Sequence, residues 1–299
     1  MTIQTVAILS PGEMGAAVGA AFHQNGFTVI TAMEGRSAPT RERAEAAGIR
    51  DAGSLDAMLG EADIVLSIMP PEAALATAQA VAQAMASSGH TPPYADCNAV
   101  APKTAKQMAS VITGAGGSFT DAGIIGNPPG GSPKPTRFFT SGPDAAIMDV
   151  FDGRGIAIKQ CGPEIGRGSA VKMCYAGITK GTSALHAAIL IAAEALGVGD
   201  ELEEELTYSQ EASLKRMEVM TPALPAVSGR YIGEMREISK TMSSVGVTSG
   251  FHDGSTDVYE LMVKTPYASE RRDTVDKSRS LRQTIQTCTE YLPVKDAAE

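Results

Sequence analysis

From residue 3 to about residue 160, short apolar runs alternate with segments of helix-favouring composition. The runs are Thr5–Ser10, Phe27–Met33, Ile64–Met69, Tyr94–Asn98, Phe119–Ile125 and Arg137–Ser141. Between them lie Ala-, Gln- and Glu-rich stretches such as Gly15–Gln24, Thr40–Ala47 and Ala73–Ala86. Strand and helix in alternation predict an α/β domain, a doubly wound, mostly parallel sheet with helices on both faces. The apolar runs are short because a parallel strand is buried on both sides.

After the turn-rich Gly162–Gly168 the pattern changes. A long proline-free helix is predicted from Ser169, a plausible N-cap, to Leu196, with Gly197 as its stop signal. Helical patterns follow at Asp200–Thr221, Gly229–Gly246, Gly254–Lys264 and Arg271–Tyr291. The expected organisation is an α/β domain over 1–162 followed by an all-helical domain over 163–299. The length of 299 residues agrees, because single cores usually stop growing near that size. Gly126–Pro135 (GNPPGGSPKP) is the loop-like cluster of breakers.

Composition narrows the function classes. With 25 basic and 34 acidic side chains the chain carries a formal charge of −9, which excludes a protein that coats nucleic acid. At 43% hydrophobic and 20% charged it is a globular protein with a core. Cys97, Cys161, Cys174 and Cys288 have no C-x-x-C spacing, and the four histidines show no paired ligand spacing. Neither a zinc site, nor any other metal site, nor a disulfide framework is therefore expected. No run approaches the roughly 18 uninterrupted apolar residues of a membrane span, and the N-terminus lacks the layout of a signal peptide. The expectation is a soluble cytoplasmic protein with no membrane partner.

The first strand runs into Ser10-Pro11-Gly12-Glu13-Met14-Gly15 and then into a helix. Against G-x-G-x-x-G, the second and third glycines are present and Ser10 holds the place of the first. A diphosphate approaches the backbone at Gly12, the helix packs tightly on the strand at Gly15, and the helix N-terminus faces the phosphates. The strand–loop–helix context makes this a Rossmann-type dinucleotide site, with a purely structural turn as the alternative. At the end of the second run stand Glu34, Arg36 and Ser37, with Thr40 and Arg41 close behind. An acidic residue there holds ribose hydroxyls of NAD, whereas an Arg accommodates the 2′-phosphate of NADP. The basic pair favours NADP, with NAD as the alternative cofactor and a solvated turn as the structural one.

Lys172 stands out in a helix otherwise rich in Ala, Ile, Leu, Met and Val, where an unpaired ammonium is costly to desolvate. On a helical wheel Lys172, Ala176, Thr179 and Ser183 share a stripe, with Tyr175 beside it. Such a stripe suggests a cleft wall; the bland alternative is a lysine snorkelling to water. Lys180 is rotated from Lys172 and reads as a cleft edge or surface charge.

At these residues the chain resembles the β-hydroxyacid dehydrogenase superfamily, which includes 3-hydroxyisobutyrate and 6-phosphogluconate dehydrogenases. The glycine loop with Met14-Gly15 is similar to the family's G-L-G-x-M-G. Asp63–Pro71 (DIVLSIMPP) is similar to the strand whose end, here Met69 and Pro70, borders the cofactor. Asp96–Pro102 (DCNAVAP) and Asp121–Pro129 (DAGIIGNPP) are similar to its two substrate loops, and Gly166–Lys172 (GRGSAVK) to the segment that carries its catalytic lysine. The resemblance implies that Lys172 exchanges the proton coupled to hydride transfer. Asn98, which the resemblance places beside the cofactor, is expected to donate a hydrogen bond to the reacting oxygen or a neighbouring polar group, with a turn residue satisfying its own loop as the alternative. The resemblance also implies that Gly123, Ile124, Ile125 and Gly126 line the substrate with Tyr175, Ala176, Thr179 and Tyr231.

The departures matter as well. Asn98 and Ala99 replace the usual Ser and Thr, Ile125 and Asn127 replace Ser and Gly, and Ala176 replaces Asn. Together with the later GRYIGEMREISKTM these are similar to a less characterised branch whose C-terminal half is a domain of unknown function. The expected activity is NAD(P)-dependent hydride transfer at a hydroxyl/carbonyl carbon of a small molecule less polar than 3-hydroxyisobutyrate, in a cleft between the domains. The alternatives are an imine reductase-like enzyme and a non-catalytic NADP(H)-sensing binding protein. The resemblance implies a homodimer formed through the helical domain.

Overall fold

The computed structural model describes residues 2–271 and 274–293. The chain divides into two compact units, one through Cys174 and one from Tyr175. The boundary falls inside the long helix rather than in the turn-rich segment before it.

In the first unit eight strands form one sheet. They are β1 (Thr5–Leu9), β2 (Thr28–Thr31), β3 (Arg50–Asp51), β4 (Ile64–Ser67), β5 (Tyr94–Asp96), β6 (Phe119–Ile125), β7 (Thr136–Ser141) and β8 (Ile156–Gln160). Their order is β3-β2-β1-β4-β5-β6-β7-β8, parallel throughout except for the antiparallel β6–β7 pair. The helices are α1 (Glu13–Gln24), α2 (Ala38–Ala46), α3 (Leu55–Glu61), α4 (Pro71–Ser88) and α5 (Pro102–Gly114). β1 shows why its run is continuous: Val6 and Ile8 enter one core with Phe22, Phe27 and Phe151, while Ala7 and Leu9 enter the other with Val65 and Ala78. Alternate side chains of one strand thus feed two cores, one on each face.

The sheet was expected, but β3, β8, α3 and α5 lie outside the apolar runs and helical stretches read from the chain. β3 has two exposed residues and no apolar signal; α3 is short and begins at Ser54, whose hydroxyl accepts from Ala57 N.

In the second part of the chain α6 (Arg167–Leu196) is followed by α7 (Gly199–Ser209), α8 (Glu211–Met220), α9 (Leu224–Ser244), α10 (Gly250–Val263) and α11 (Leu281–Glu290). The helix expected over Asp200–Thr221 is broken at Gln210, where the backbone turns to φ −141° and ψ 41°. α11 starts ten residues later than expected, at a capping box formed by Ser280 and Gln283. By length and composition α6 is apolar enough to cross a membrane. Around Gly177 it nevertheless packs against α9 and α10, where an added side chain would meet His252 at 3.1 Å and Ile238 at 3.4 Å. All four cysteines are free, with Cys97 and Cys288 buried.

Candidate functional site

Strand order reverses between β1 and β4, so the loops after their carboxyl ends diverge and leave the crevice in which doubly wound sheets bind nucleotides. The glycine loop follows β1. Ser10, in the place of the first glycine, adopts φ +64°, the left-handed region that a glycine takes without strain. Gly15 is required by packing, because a side chain there would stand 2.8 Å from the Ser10 carbonyl oxygen and 3.3 Å from Ile8. Gly12 is different. Its φ of −69° suits any residue, and a side chain would meet nothing within 4 Å. The space it keeps open lies at the start of α1, whose N-cap offers no side-chain oxygen to the first-turn N–H groups. Open space beside a helix N-terminus fits a phosphate. Glu13 and Met14 occupy the first turn.

At the end of β2, Glu34, Arg36 and Ser37 are exposed, and the Ser37 hydroxyl lies 3.0 Å from that of Thr40. Arg41 has a different job from the one expected. Its guanidinium donates to the carbonyl oxygens of Met33 and Arg36 and lies 3.9 Å from Asp51, so it braces the turn that presents Arg36.

After β4, Met69 is half-buried and Pro70 precedes α4. The Met69 N–H donates to Asn98 Oδ1 at 2.6 Å, while Asn98 Nδ2 donates to Ser67 Oγ at 2.9 Å and to Asp96 Oδ1 at 2.5 Å. Asn98 is 3% exposed. Both amide hydrogens are thereby directed into the protein, so Asn98 braces the β4 loop; in this arrangement it has no hydrogen left for a substrate oxygen.

Asp121 on β6 anchors the start of α6. Its carboxylate accepts from the N–H groups of Gly166 at 3.1 Å and Ser169 at 2.9 Å, from Ser141 Oγ at 2.8 Å, and from the Ser169 hydroxyl. Ser141 Oγ also accepts from Gly168 N at 3.0 Å. The first-turn amides of α6 are therefore satisfied by side chains of β6 and β7, and Ser169 lies inside the helix rather than at its N-cap. Burial pushes the Asp121 carboxyl up from its ordinary value, against the pull of its donors.

Close backbone approach completes the anchor. A side chain on Gly168 would stand 2.1 Å from the Phe139 carbonyl oxygen, and one on Gly123 would stand 2.6 Å from the Gly168 carbonyl and 2.7 Å from Lys172 Cβ. Lys172, half-buried, is thus set over Gly123. Side chains alternate along β6, so Asp121, Gly123 and Ile125 face this side, while Ala122 and Ile124 enter the opposite core. Ile124 is therefore a core residue, contrary to the expectation; Ile125 keeps its place on the Lys172 side, and Gly126 follows, exposed, at φ +127°.

In the second unit Tyr175 is 48% exposed and Ala176 is buried. Thr179 turns its hydroxyl back on the Tyr175 carbonyl at 3.1 Å. Tyr231 lies under the Lys180 ammonium, 4.5 Å from its ring centre, and edge-on to Tyr259 at 5.4 Å. Lys180 pairs with Glu234, the two side chains being 13% and 9% exposed, so the reading of Lys180 as a surface charge is corrected to a largely buried ion pair. Tyr259 OH donates to the Lys180 carbonyl at 2.7 Å.

Asp96, Asp121 and Gly168 were not singled out from the sequence as site residues; Glu234 was, by the resemblance and beside Tyr231, but its pairing with Lys180 was not foreseen. A carboxylate ending an otherwise apolar strand, as in both DCNAVAP and DAGIIGNPP, is the signal that could have found the first two. Pairing across 54 positions of chain left no such trace for Lys180 and Glu234.

Residues 5–152 match the NAD binding domain of 6-phosphogluconate dehydrogenase, and residues 193–262 match a domain of unknown function, DUF1932. A solved conserved protein of unknown function, described as structurally similar to 3-hydroxyacid dehydrogenases, is 27% identical, with a TM-score of 0.64 over 86% of this chain and 98% of that one. A 3-hydroxyisobutyrate dehydrogenase of Mycobacterium tuberculosis, solved with L-serine, is 19% identical, with a TM-score of 0.65 over 96% and 99% of the two chains. A Streptomyces aurantiacus imine reductase is 19% identical, with a TM-score of 0.53 over 95% and 99%. The last two likenesses establish a shared fold.

Proposed function

From a chain that carries an NAD-binding domain of 6-phosphogluconate dehydrogenase type followed by a DUF1932 domain, we propose an NAD(P)-dependent oxidoreductase. It moves a hydride between nicotinamide and a hydroxyl/carbonyl carbon of a small organic substrate, with NADP(H) preferred. The observation that carries the reading is Gly12, a glycine that neither backbone nor packing demands, keeping space open at the N-terminus of α1.

When bound, the nicotinamide cofactor supplies or accepts the hydride. The helix N-terminus after Gly12 holds the diphosphate, Glu34, Arg36 and Ser37 meet the adenosine ribose and its 2′-phosphate, and Met69 with Pro70 borders the opposite side of the crevice. Lys172 gives the proton to the substrate oxygen or takes it, and Asp121 with Gly123 and Gly168 sets where its ammonium stands. Ile125, in place of a hydroxyl side chain, favours a substrate less polar than 3-hydroxyisobutyrate.

The test is NADPH oxidation and NADP⁺ reduction, each repeated with NAD(H), against hydroxy acids, hydroxyketones, their carbonyl forms and cyclic imines. Turnover of a hydroxyl/carbonyl pair supports the proposal. Turnover of imines alone replaces it with imine reduction, for which the exposed phenol of Tyr175 offers a proton donor. Tight cofactor binding without turnover on any substrate leaves the sensing role. We further infer a homodimer through the helical half, because α6 exposes Ile178, Leu185, Ile189 and Leu196 at successive spacings of seven, four and seven. A monomeric sedimentation coefficient at micromolar concentration would remove that inference.

A further inference from the structure

Two carboxyl groups end neighbouring strands of the first unit in register: Asp96 on β5 pairs with Asp121 on β6. Both are buried, at 1% and 0% exposure. Like charges side by side in a desolvated site do not both ionise readily. The surroundings decide which one carries the charge. Asp121 accepts four hydrogen bonds, from Ser141, Gly166 and twice from Ser169. Asp96 accepts from Asn98 Nδ2 through Oδ1, and its buried Oδ2 has no partner. The other titratable groups around Asp96 are Tyr94 on its own strand and the adjacent Cys97, both pushed up by burial first and, secondarily, by any charge on Asp96. A charge on Asp96 would thus sit beside another carboxylate with one oxygen bare.

We propose that Asp96 is a positioning residue that works as the neutral, protonated acid. In that form it holds the Asn98 amide, and through it the Met69 N–H at the turn into α4, while the negative charge of the pair stays on Asp121 at the start of α6. Burial first, and then Asp121, pushes the Asp96 carboxyl up to about 8, against the pull of its Asn98 hydrogen bonds. A role for Met69 beside a nucleotide rests on the proposed oxidoreductase activity; the protonation of Asp96 does not.

The experiment is urea unfolding of the full chain between pH 5 and pH 9, for wild type and Asp96→Asn. The folded chain keeps the Asp96 proton that the unfolded chain releases near its ordinary value of 3.8. The wild type therefore loses stability from this group as pH rises towards about 8, its unfolding constant climbing by up to about tenfold per pH unit before levelling off. Asp96→Asn removes that slope, and at pH 8 its urea midpoint lies above that of the wild type. Equal slopes in the two proteins, or a lower midpoint for Asp96→Asn at pH 8, would overturn the proposal.

A second readout is NADPH affinity by fluorescence at pH 7. Asp96→Asn should stay within about twofold of wild type, and Asp96→Ala should bind about fivefold more weakly, the worth of one hydrogen bond. Equal losses in both variants, or none in Asp96→Ala, contradict the positioning role. If Asp96→Ala does not fold, Asn98→Ala tests the same link with the same expected loss. A wild type that binds neither NADPH nor NADH overturns the nucleotide role of Met69, whereas the pH slopes decide Asp96 independently.

Discussion

Lys172 stands where it does because Gly123 has no side chain: a carbon added to Gly123 would lie 2.7 Å from Lys172 Cβ and 2.6 Å from the Gly168 carbonyl oxygen. The second of these contacts is with backbone, which cannot rotate away. Gly123→Ala should therefore lower stability by about 1–3 kcal/mol, the usual cost of overpacking. It should also reduce turnover by shifting α6. A urea midpoint and a kcat equal to wild type would show that α6 is not seated on β6 in this way.

Asp121→Asn tests the anchor itself. The amide offers one acceptor oxygen where N–H and O–H donors converge on two, and its NH₂ group points at donors. Each buried donor left without an acceptor costs about 1–3 kcal/mol. The expected outcome is a destabilised protein whose α6 amides, including Ser169, exchange with deuterium faster than those of β1. Unchanged exchange at Ser169 would assign the helix start to other contacts.

Lys172→Met should leave the fold and NADPH affinity intact, since the nucleotide residues lie on the loops after β1, β2 and β4. Turnover should fall by about 10²- to 10⁴-fold, the contribution of a positioned general acid or base. Single-turnover measurements of hydride transfer provide the check. A variant that keeps near wild-type turnover moves proton transfer to another group, with Tyr175 first in line.

Arg36→Ala should narrow the preference for NADPH over NADH. A charge-assisted contact to a 2′-phosphate contributes roughly 1.5–3 kcal/mol, or about 10- to 150-fold in affinity. Glu34, exposed two residues before Arg36, would repel that phosphate without the guanidinium. Titration of both cofactors against both proteins reads the difference; NADH binding as tight as NADPH in the wild type refutes the preference.

Local chemistry carried much of this protein into plain view along the chain. β1 and β6 announce themselves because buried parallel strands are continuous apolar runs. Gly12 and Gly15 are recognisable because a phosphate and a tight helix–strand contact each demand a missing side chain at fixed spacing. Lys172 is visible as a charge in an apolar helix. What depends on partners remote in the chain was hidden. Ile124 and Ile125 look alike in sequence, and only the pleat of β6 sends one to the core and the other to the Lys172 side. Asn98 looks like a donor to substrate until Ser67, Asp96 and Met69 are seen to occupy its amide. Lys180 looks like a surface charge until α9 brings Glu234 against it. Asp121 looks like one more loop carboxylate, yet it caps a helix that starts 46 positions later (167 − 121). The physical reason is the same in each case. Propensity, burial and glycine geometry are written in neighbouring residues, whereas hydrogen bonds and ion pairs in a core are made between groups that only the folded chain brings within 3 Å of each other.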